Sequence, residues 1–469
     1  MKPIYAFVFI FLGLFIFNTI SIAQSVSVET FPLDPQSGSH NYFGVRVTLS
    51  QGYNQDVTVQ GYIYDEGNGF NSNHPFTLTI SVGNLSAETS ATFYETDPTA
   101  NAVAEISSAT LVVSYAGVNI TYEINNHILK FNSADDVNTV LNQMDADYET
   151  YNTNYVNQYP NLTEDQLDDM DDQTGFDEFT TFKNFEAQFS GFISKRSQIE
   201  VTENTWLSND LSGTDPDDID YTFDDAENTI FNDSYQLKIG DDAYEMRSDG
   251  LYNLSNGNLT MLTPYSNLAA NQLNIVNDQM GFNEFALFKS FEAPLSRFVS
   301  KQNDELLNDF SYPDGSSYTF SIAKPSSEQN SFYSITNDVC ITNVKRKQPF
   351  PYGSDRQFEL KAAVHSSFIR TSAKGKVVSL KKKNGHWKRN RSNMAVGCAG
   401  NIYEKTANIA CSLLYSNLYR RKPTNGYDKK KSLKTIERHA GPGAFKVKTN
   451  EFYAFFELSD GTYHQLYVY

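Results

Sequence analysis

The chain is short of the residues that mark the commonest extracellular and catalytic frameworks. Three cysteines, Cys340, Cys398 and Cys411, stand in 469 residues. So few, and an odd number, exclude a disulfide-scaffolded fold, and without paired C-x-x-C units they exclude a zinc ribbon. There is no G-x-S-x-G, no H-E-x-x-H and no P-loop, so three common catalytic and nucleotide-binding signatures are missing. After the first residues no apolar run reaches the roughly 20 positions of a spanning helix, and no transmembrane span is expected. Cys398, with His365, His386 or His439 as base, has no local catalytic signature around it. A structural or disulfide-bonded cysteine is the reading taken, with Cys398 and Cys411 as the expected pair. No catalytic residue, metal ligand or cofactor is assigned.

What is present begins at the N-terminus. Lys2 is the only charge before an apolar run from Ile4 to Phe17, and Ser21 and Ala23 put small residues ahead of Gln24. This is the pattern of a secretory signal peptide over 1–23, predicting export to the periplasm, the cell surface or the medium. The remaining length suggests roughly three domains. Charge then divides the chain. Residues 341–469 hold 25 Lys+Arg against 8 Asp+Glu, a net of +17, while 1–340 carry −36. Such asymmetry points to separate domains with different partners.

Patterning predicts a multidomain, mainly β protein with α+β repeats. Residues 24–128 alternate apolar and polar positions in short runs (Val45, Val47, Leu49; Phe76, Leu78, Ile80; Val118, Ile120, Tyr122), which predicts a β-sandwich of immunoglobulin-like size. Residues 129–262 form an acidic α+β module, with 27 acids against five bases over 141–250. Within it, residues 172–195 recur at 278–301 with 15 of 24 positions identical, which is a duplication, so 263–343 are a second, shortened copy. Phe176, Phe179, Phe182, Phe185, Phe189 and Phe192 step by three or four, as expected of a helix turning one stripe to a core rather than to a ligand. Tyr235–Ile239, Ala243–Met246 and Leu251–Leu254 are expected to make a small meander. Residues 344–469 form a basic β-rich domain, in which Asn384-Gly385 is a favoured hairpin turn.

The series Trp206, Asp215-Pro-Asp-Asp218, Phe231-Asn232, Leu237-Lys-Ile-Gly-Asp241, Tyr244 and Asp249-Gly-Leu-Tyr252 resembles a pattern in uncharacterised secreted bacterial proteins. There a tandem Phe-rich helix is followed by an Ile-Gly-Asp hairpin. The resemblance covers about residues 165–260 and implies a surface or secreted setting; it assigns no activity and no functional residue.

Two charged features remain. The acids of 165–172 and 215–220 are the places where calcium would bind, but an EF-type register fails because Thr174 stands where the loop needs glycine. Solvated acidic loops are the reading taken. Lys374, Lys376, Lys381, Lys382, Lys383, Trp387, Lys388, Arg389 and Arg391 concentrate positive charge around an aromatic ring, with Lys429, Lys430, Lys431 and Lys434 adding a second run. Such density binds polyanions by charge and counterion release. The competing readings are a solvated basic face, or one docked on the acidic region of its own chain. The function expected is that of an exported, non-catalytic binding protein contacting a polyanion (glycan, lipopolysaccharide or nucleic acid). A hydrolase of cell-wall or polysaccharide material, or a nuclease-like C-terminal effector, is the alternative.

Overall fold

Period-two alternation makes strands of about half of the described residues, and the computed structural model describes residues 26–32, 41–65, 74–93, 102–220, 223–247, 250–254, 310–311, 317–318, 344–366, 370–405, 411–422, 428–439, 445–448 and 450–468. The predicted signal peptide, the second copy at 278–301 and Cys340 lie outside the described residues. The chain divides into two units, residues 1–111 with 123–126, and residues 112–122 with 127–469.

The first unit is antiparallel. In it β1 (Val26–Pro32), β2 (Asn41–Leu49) and β5 (Ser86–Phe93) form one sheet, and β3 (Val57–Asp65) pairs with β4 (His74–Ile80) and with β6 (Ala102–Tyr115). Val45, Val47, Val57, Val59, Leu78 and Ile80 are buried while the residues between them are not, as one apolar face per strand requires.

In the second unit, β7 (Val118–Glu123) and β8 (Ile128–Phe131) precede every α-helix among the described residues. Those are α1 (Ala134–Asn157), α2 (Glu164–Thr174), α3 (Thr180–Glu186), α4 (Lys195–Ser208), α5 (Pro216–Ile219) and α6 (Asp225–Ile230). Then come β9 (Gln236–Ile239), β10 (Asp242–Arg247) and β11 (Gly250–Leu254), the expected meander. Because β8 and β9 are parallel, a long crossover must join them, and the helices are that crossover. Side chains open these helices. Ser133 caps α1, Thr163 and Gln166 form a capping box on α2, and Asp224 and Glu227 form another on α6.

The phenylalanine stripe is buried from Phe179 to Phe192 but does not lie on one helix, and here the sequence reading is corrected. Gly175 adopts φ 68° as the left-handed cap that ends α2, and only 180–186 are α-helical before α4 starts at Lys195. The rings still reach one core because hydrogen-bonded turns, such as Phe189 N–H to Glu186 O and Phe192 N–H to Phe189 O, join the pieces. Phe185 meets Tyr115 edge-on at 5.1 Å and Phe189 at 5.2 Å, and Phe182 stacks on Tyr148 at 5.2 Å.

After the two-residue strands β12 (Phe310–Ser311) and β13 (Ser317–Tyr318) come two sheets. One contains β14 (Val344–Tyr352), β15 (Arg356–Ser366), β16 (Arg370–Lys383) and β17 (His386–Arg389), with β20 (Lys430–His439) also on β16. The other has the order β19 (Cys411–Lys422), β18 (Met394–Lys405), β22 (Phe452–Leu458), β23 (Tyr463–Tyr467), with β21 (Phe445–Lys446) on β18. Phe358, Leu360, Ala373 and Val377 of the first join Val396, Cys398, Phe452 and Phe456 of the second in one buried cluster. Asn384 and Gly385, at φ 53° and 87°, make the expected tight hairpin turn. The expected Cys398–Cys411 bridge is corrected by register. Cys398 pairs with Arg420 and Cys411 with Lys405, seven residues further along β18. That is roughly 20 Å of strand, against the roughly 7 Å a disulfide spans between α-carbons.

Candidate functional site

Strand alternation decides where the basic residues point. On β16, Ala373 and Val377 enter the core, so Lys374 and Lys376 project from the other side of the sheet, with Val378 and Leu380 continuing that side. Register places Lys347 beside Lys361 and Lys361 beside Lys376, and β17 adds Arg389 opposite Leu380. One face of the sheet is therefore carpeted with cations. Packed on it is α4, whose Trp206 and Leu207 make an apolar patch with Val378, Leu380 and Trp387.

Around that patch the cations meet acids from the helical segment. Lys361, only 5% exposed, lies 2.8 Å from Asp220 and 3.0 Å from Asp217. Lys347 is 2.7 Å from Asp215, and Lys345 donates to the carbonyls of Asp217 and Asp220. Arg389 reaches Glu178 at 2.8 Å and Glu203 at 2.5 Å. At the sheet's end α2 supplies the partners. Arg356 meets Glu164 and Asp165, Lys381 meets Asp165, and Lys383 meets Asp168 at 2.5 Å. Arg391, 2% exposed, grips Asp171 with Nε at 2.8 Å and Nη2 at 2.9 Å, below the rings of Tyr155 and Phe176.

All nine residues singled out from the sequence fall on this structure, and none stands apart from the chain's own groups. Lys382 pairs with Asp210 at 2.7 Å, Lys388 comes within 3.9 Å of Asp172, and Trp387 packs against the cluster of Trp206, Leu207, Val378 and Leu380. Burial lowers the pKa of Lys374, against the attraction of Asp224 and Glu227. Burial, with Lys361 beside it, also lowers that of Lys376. The acids of 165–172, expected in a solvated loop, lie on α2, where Asp168 and Asp171 are buried. Sequence reading missed Lys345, Lys347, Arg356 and Lys361. Their signal is the same alternation, thinly spread over two strands.

Electrostatics inside the contact follow from burial and neighbours. Burial raises the Asp217 carboxyl, but Lys361, Lys347 and Lys345 outweigh it and hold the pKa well below the usual range. Burial pulls Lys345 down to about 8, helped by Lys361. Glu359 is pushed up to about 7 by burial, which the attraction of Lys347 at 3.7 Å only partly offsets. Asp217, Lys347, Glu359 and Lys361 line, with Phe179, a cavity of about 50 Å³. A ligand pocket occupies roughly 300 Å³ or more, so this one suits water and not a substrate.

Glu359 gives a pH prediction. Below about pH 4.5 its carboxyl is neutral whether the chain is folded or not. From there to about 7 the unfolded chain ionises while the folded chain keeps its proton, so this group's effect on stability becomes less favourable as pH rises. Glu359→Gln should therefore match the parent near pH 4 and exceed it by about 1–3 kcal/mol at pH 8. Urea titrations of both proteins at the two pH values check this; an equal difference at both would mean that Glu359 does not titrate differently on folding.

Neither a family model nor a curated protein matches the chain. Among solved structures, a DUF4848 family protein from Bacteroides thetaiotaomicron aligns over 73% of this chain and 97% of its own, at 12% identity and a TM-score of 0.15. A score that low establishes no shared fold. Among the described residues no helix is long and apolar enough to cross a membrane.

Proposed function

We propose that the chain is an exported, non-catalytic binding protein whose basic C-terminal sheet is neutralised by its own acidic helices, and which meets external polyanions only as far as those helices yield the face. The supporting observation is that each of the nine candidate residues interacts with side chains of the 165–227 segment. A polyanion offers phosphates or sulfates at the cost of displacing carboxylates already seated at 2.5–2.8 Å. In the intact chain that exchange is close to neutral, and binding is weak.

Removing the exposed acids tests this without opening the buried contacts. Asp165, Asp169 and Asp172 are more than half exposed and sit against Lys381, Lys383 and Lys388. The triple change to asparagine should raise the salt concentration that elutes the full-length chain from heparin. The log–log salt slope of binding should steepen by about one unit for each lysine released. Thermal stability should move little, because exposed pairs contribute about 0–1 kcal/mol each. Unchanged elution would remove the polyanion reading, since it rests on Lys381 and Lys388 being released once Asp165 and Asp172 lose their charge, while Lys383 keeps Asp168.

A further inference from the structure

The second sheet of the C-terminal domain has an outer face of another kind. Its central strand β18 turns Ala395, Gly397 and Ala399 to that side, where they too are buried, alternating with Val396 and Cys398 of the core between the sheets. Phe455 pairs with Gly397, and a Cβ at 397 would stand 2.0 Å from its ring, so the ring lies flat on bare backbone. Tyr419 of β19 then stacks on Phe455 at 5.4 Å and 21°, and Tyr463 of β23 meets it at 5.5 Å and 32°. Tyr453 and Tyr467 extend the layer, 5.2 Å apart. Phe455 is buried beneath this layer, but Tyr419 is 55% and Tyr463 45% exposed. A row of aromatic rings, held level by a glycine-and-alanine strand, therefore faces solvent.

The polar groups on the same face decide what would lie there. Arg421 reaches Glu457 at 2.6 Å, so the two formal charges cancel across the strand of small residues. Gln465 is exposed between Tyr463 and Tyr467, and the Tyr463 hydroxyl donates to its amide oxygen at 3.4 Å. Burial pushes the Tyr463 phenol up to about 12, and burial with Tyr467 nearby raises Tyr453, so both keep their protons at any ordinary pH. The face is thus uncharged in sum, flat, aromatic, and fringed with amide, phenol and guanidinium–carboxylate groups. A polyanion finds no counter-charge here. A sugar chain finds both things it needs: rings for the C–H faces of its pyranoses, and planar donors and acceptors for its hydroxyls.

We propose that this face binds a neutral polysaccharide, its sugar rings stacked on the exposed rings of Tyr419 and Tyr463, which the buried Phe455 holds in place from beneath. The proposal rests on the chain being an exported binding protein, but uses none of the lysines on which the polyanion reading depends. The test is native electrophoresis of the full-length protein in gels containing soluble starch, hydroxyethylcellulose, galactomannan or xyloglucan. Calorimetry follows with oligosaccharides of whichever one retards it. At least one neutral glycan should retard the protein, with an affinity unchanged between 0.1 and about 0.5 M salt because no phosphate-type contact is made. Tyr419→Ala and Tyr463→Ala should each weaken it about tenfold, the loss of one stacked ring, with melting temperatures unaltered at these exposed positions. Retardation that survives both substitutions would leave a glycan-binding protein but overturn this face as its site. Three results overturn the neutral-glycan assignment itself: no retardation by any of the four; binding only to alginate or single-stranded DNA with steep salt dependence; or self-association abolished by the same substitutions. The heparin response of the asparagine triple variant is independent of all of them.

Discussion

Arg391→Ala should cost about 3–5 kcal/mol, among the largest losses available from a single polar residue in this chain. Its guanidinium makes a two-pronged contact with Asp171, and both side chains are only 2% exposed. Truncation leaves the Asp171 carboxylate out of water with Lys429, at 2.9 Å, as its remaining charged partner, and removes the cation from beneath Tyr155 and Phe176. The lysine keeps the expected loss toward the lower end of that range. Urea unfolding measures it, and a cycle with Asp171→Asn separates the pair from its surroundings. The double variant should fall well short of the sum of the singles, since each single change strands the other's charge. A loss below about 1 kcal/mol for Arg391→Ala would mean that water reaches the pair and that α2 is not sealed on the sheet.

This pair also marks the limit of what the sequence discloses. Arg391 and Asp171 are 220 positions apart, and Lys347 and Asp215 are 132 apart. A charge count shows an acidic and a basic segment, but not which carboxylate stands opposite which ammonium, because register is set by strands and helices far from both. Local rules were legible where one element contains the whole pattern. The alternation of Ala373, Lys374, Gly375, Lys376 and Val377 gives β16 and its two faces, and Asn384-Gly385 gives the turn into β17. They failed where two backbone states share one spacing. Phenylalanines three and four apart suit a helix, and they equally suit short helical pieces joined by turns, which left-handed glycines at 175 and 191 bring about. Cys398 and Cys411 misled for a related reason. Thirteen positions look close along the chain, but in an antiparallel pair only residues equidistant from the connection meet, and Cys398 lies far down its strand. The aromatic face escaped notice because Tyr419, Phe455 and Tyr463 come from three strands, and no single strand carries a motif.

Phe185→Asp should be the more damaging of the two changes, because it removes an aromatic ring and installs a charge in one step. Phe185 is 1% exposed, on α3, between Tyr115 and Phe189 at 5.1 and 5.2 Å. Truncating such a ring alone costs about 3–5 kcal/mol in transfer energy and cavity. An aspartate there must ionise in an apolar site or take up a proton, and either adds to the loss. Native domains are stable by about 5–15 kcal/mol, so the second unit should be largely or wholly unfolded at 37 °C. Phe185→Leu supplies the comparison, since it keeps the apolar character and loses only part of the volume. It should melt a few degrees below the parent while the aspartate variant has no cooperative transition in this unit. If the aspartate variant melts like the parent, the ring is not in a sealed core. The phenylalanine row would then be a surface stripe, and its second copy at 282–298 would lose its expected structural role too.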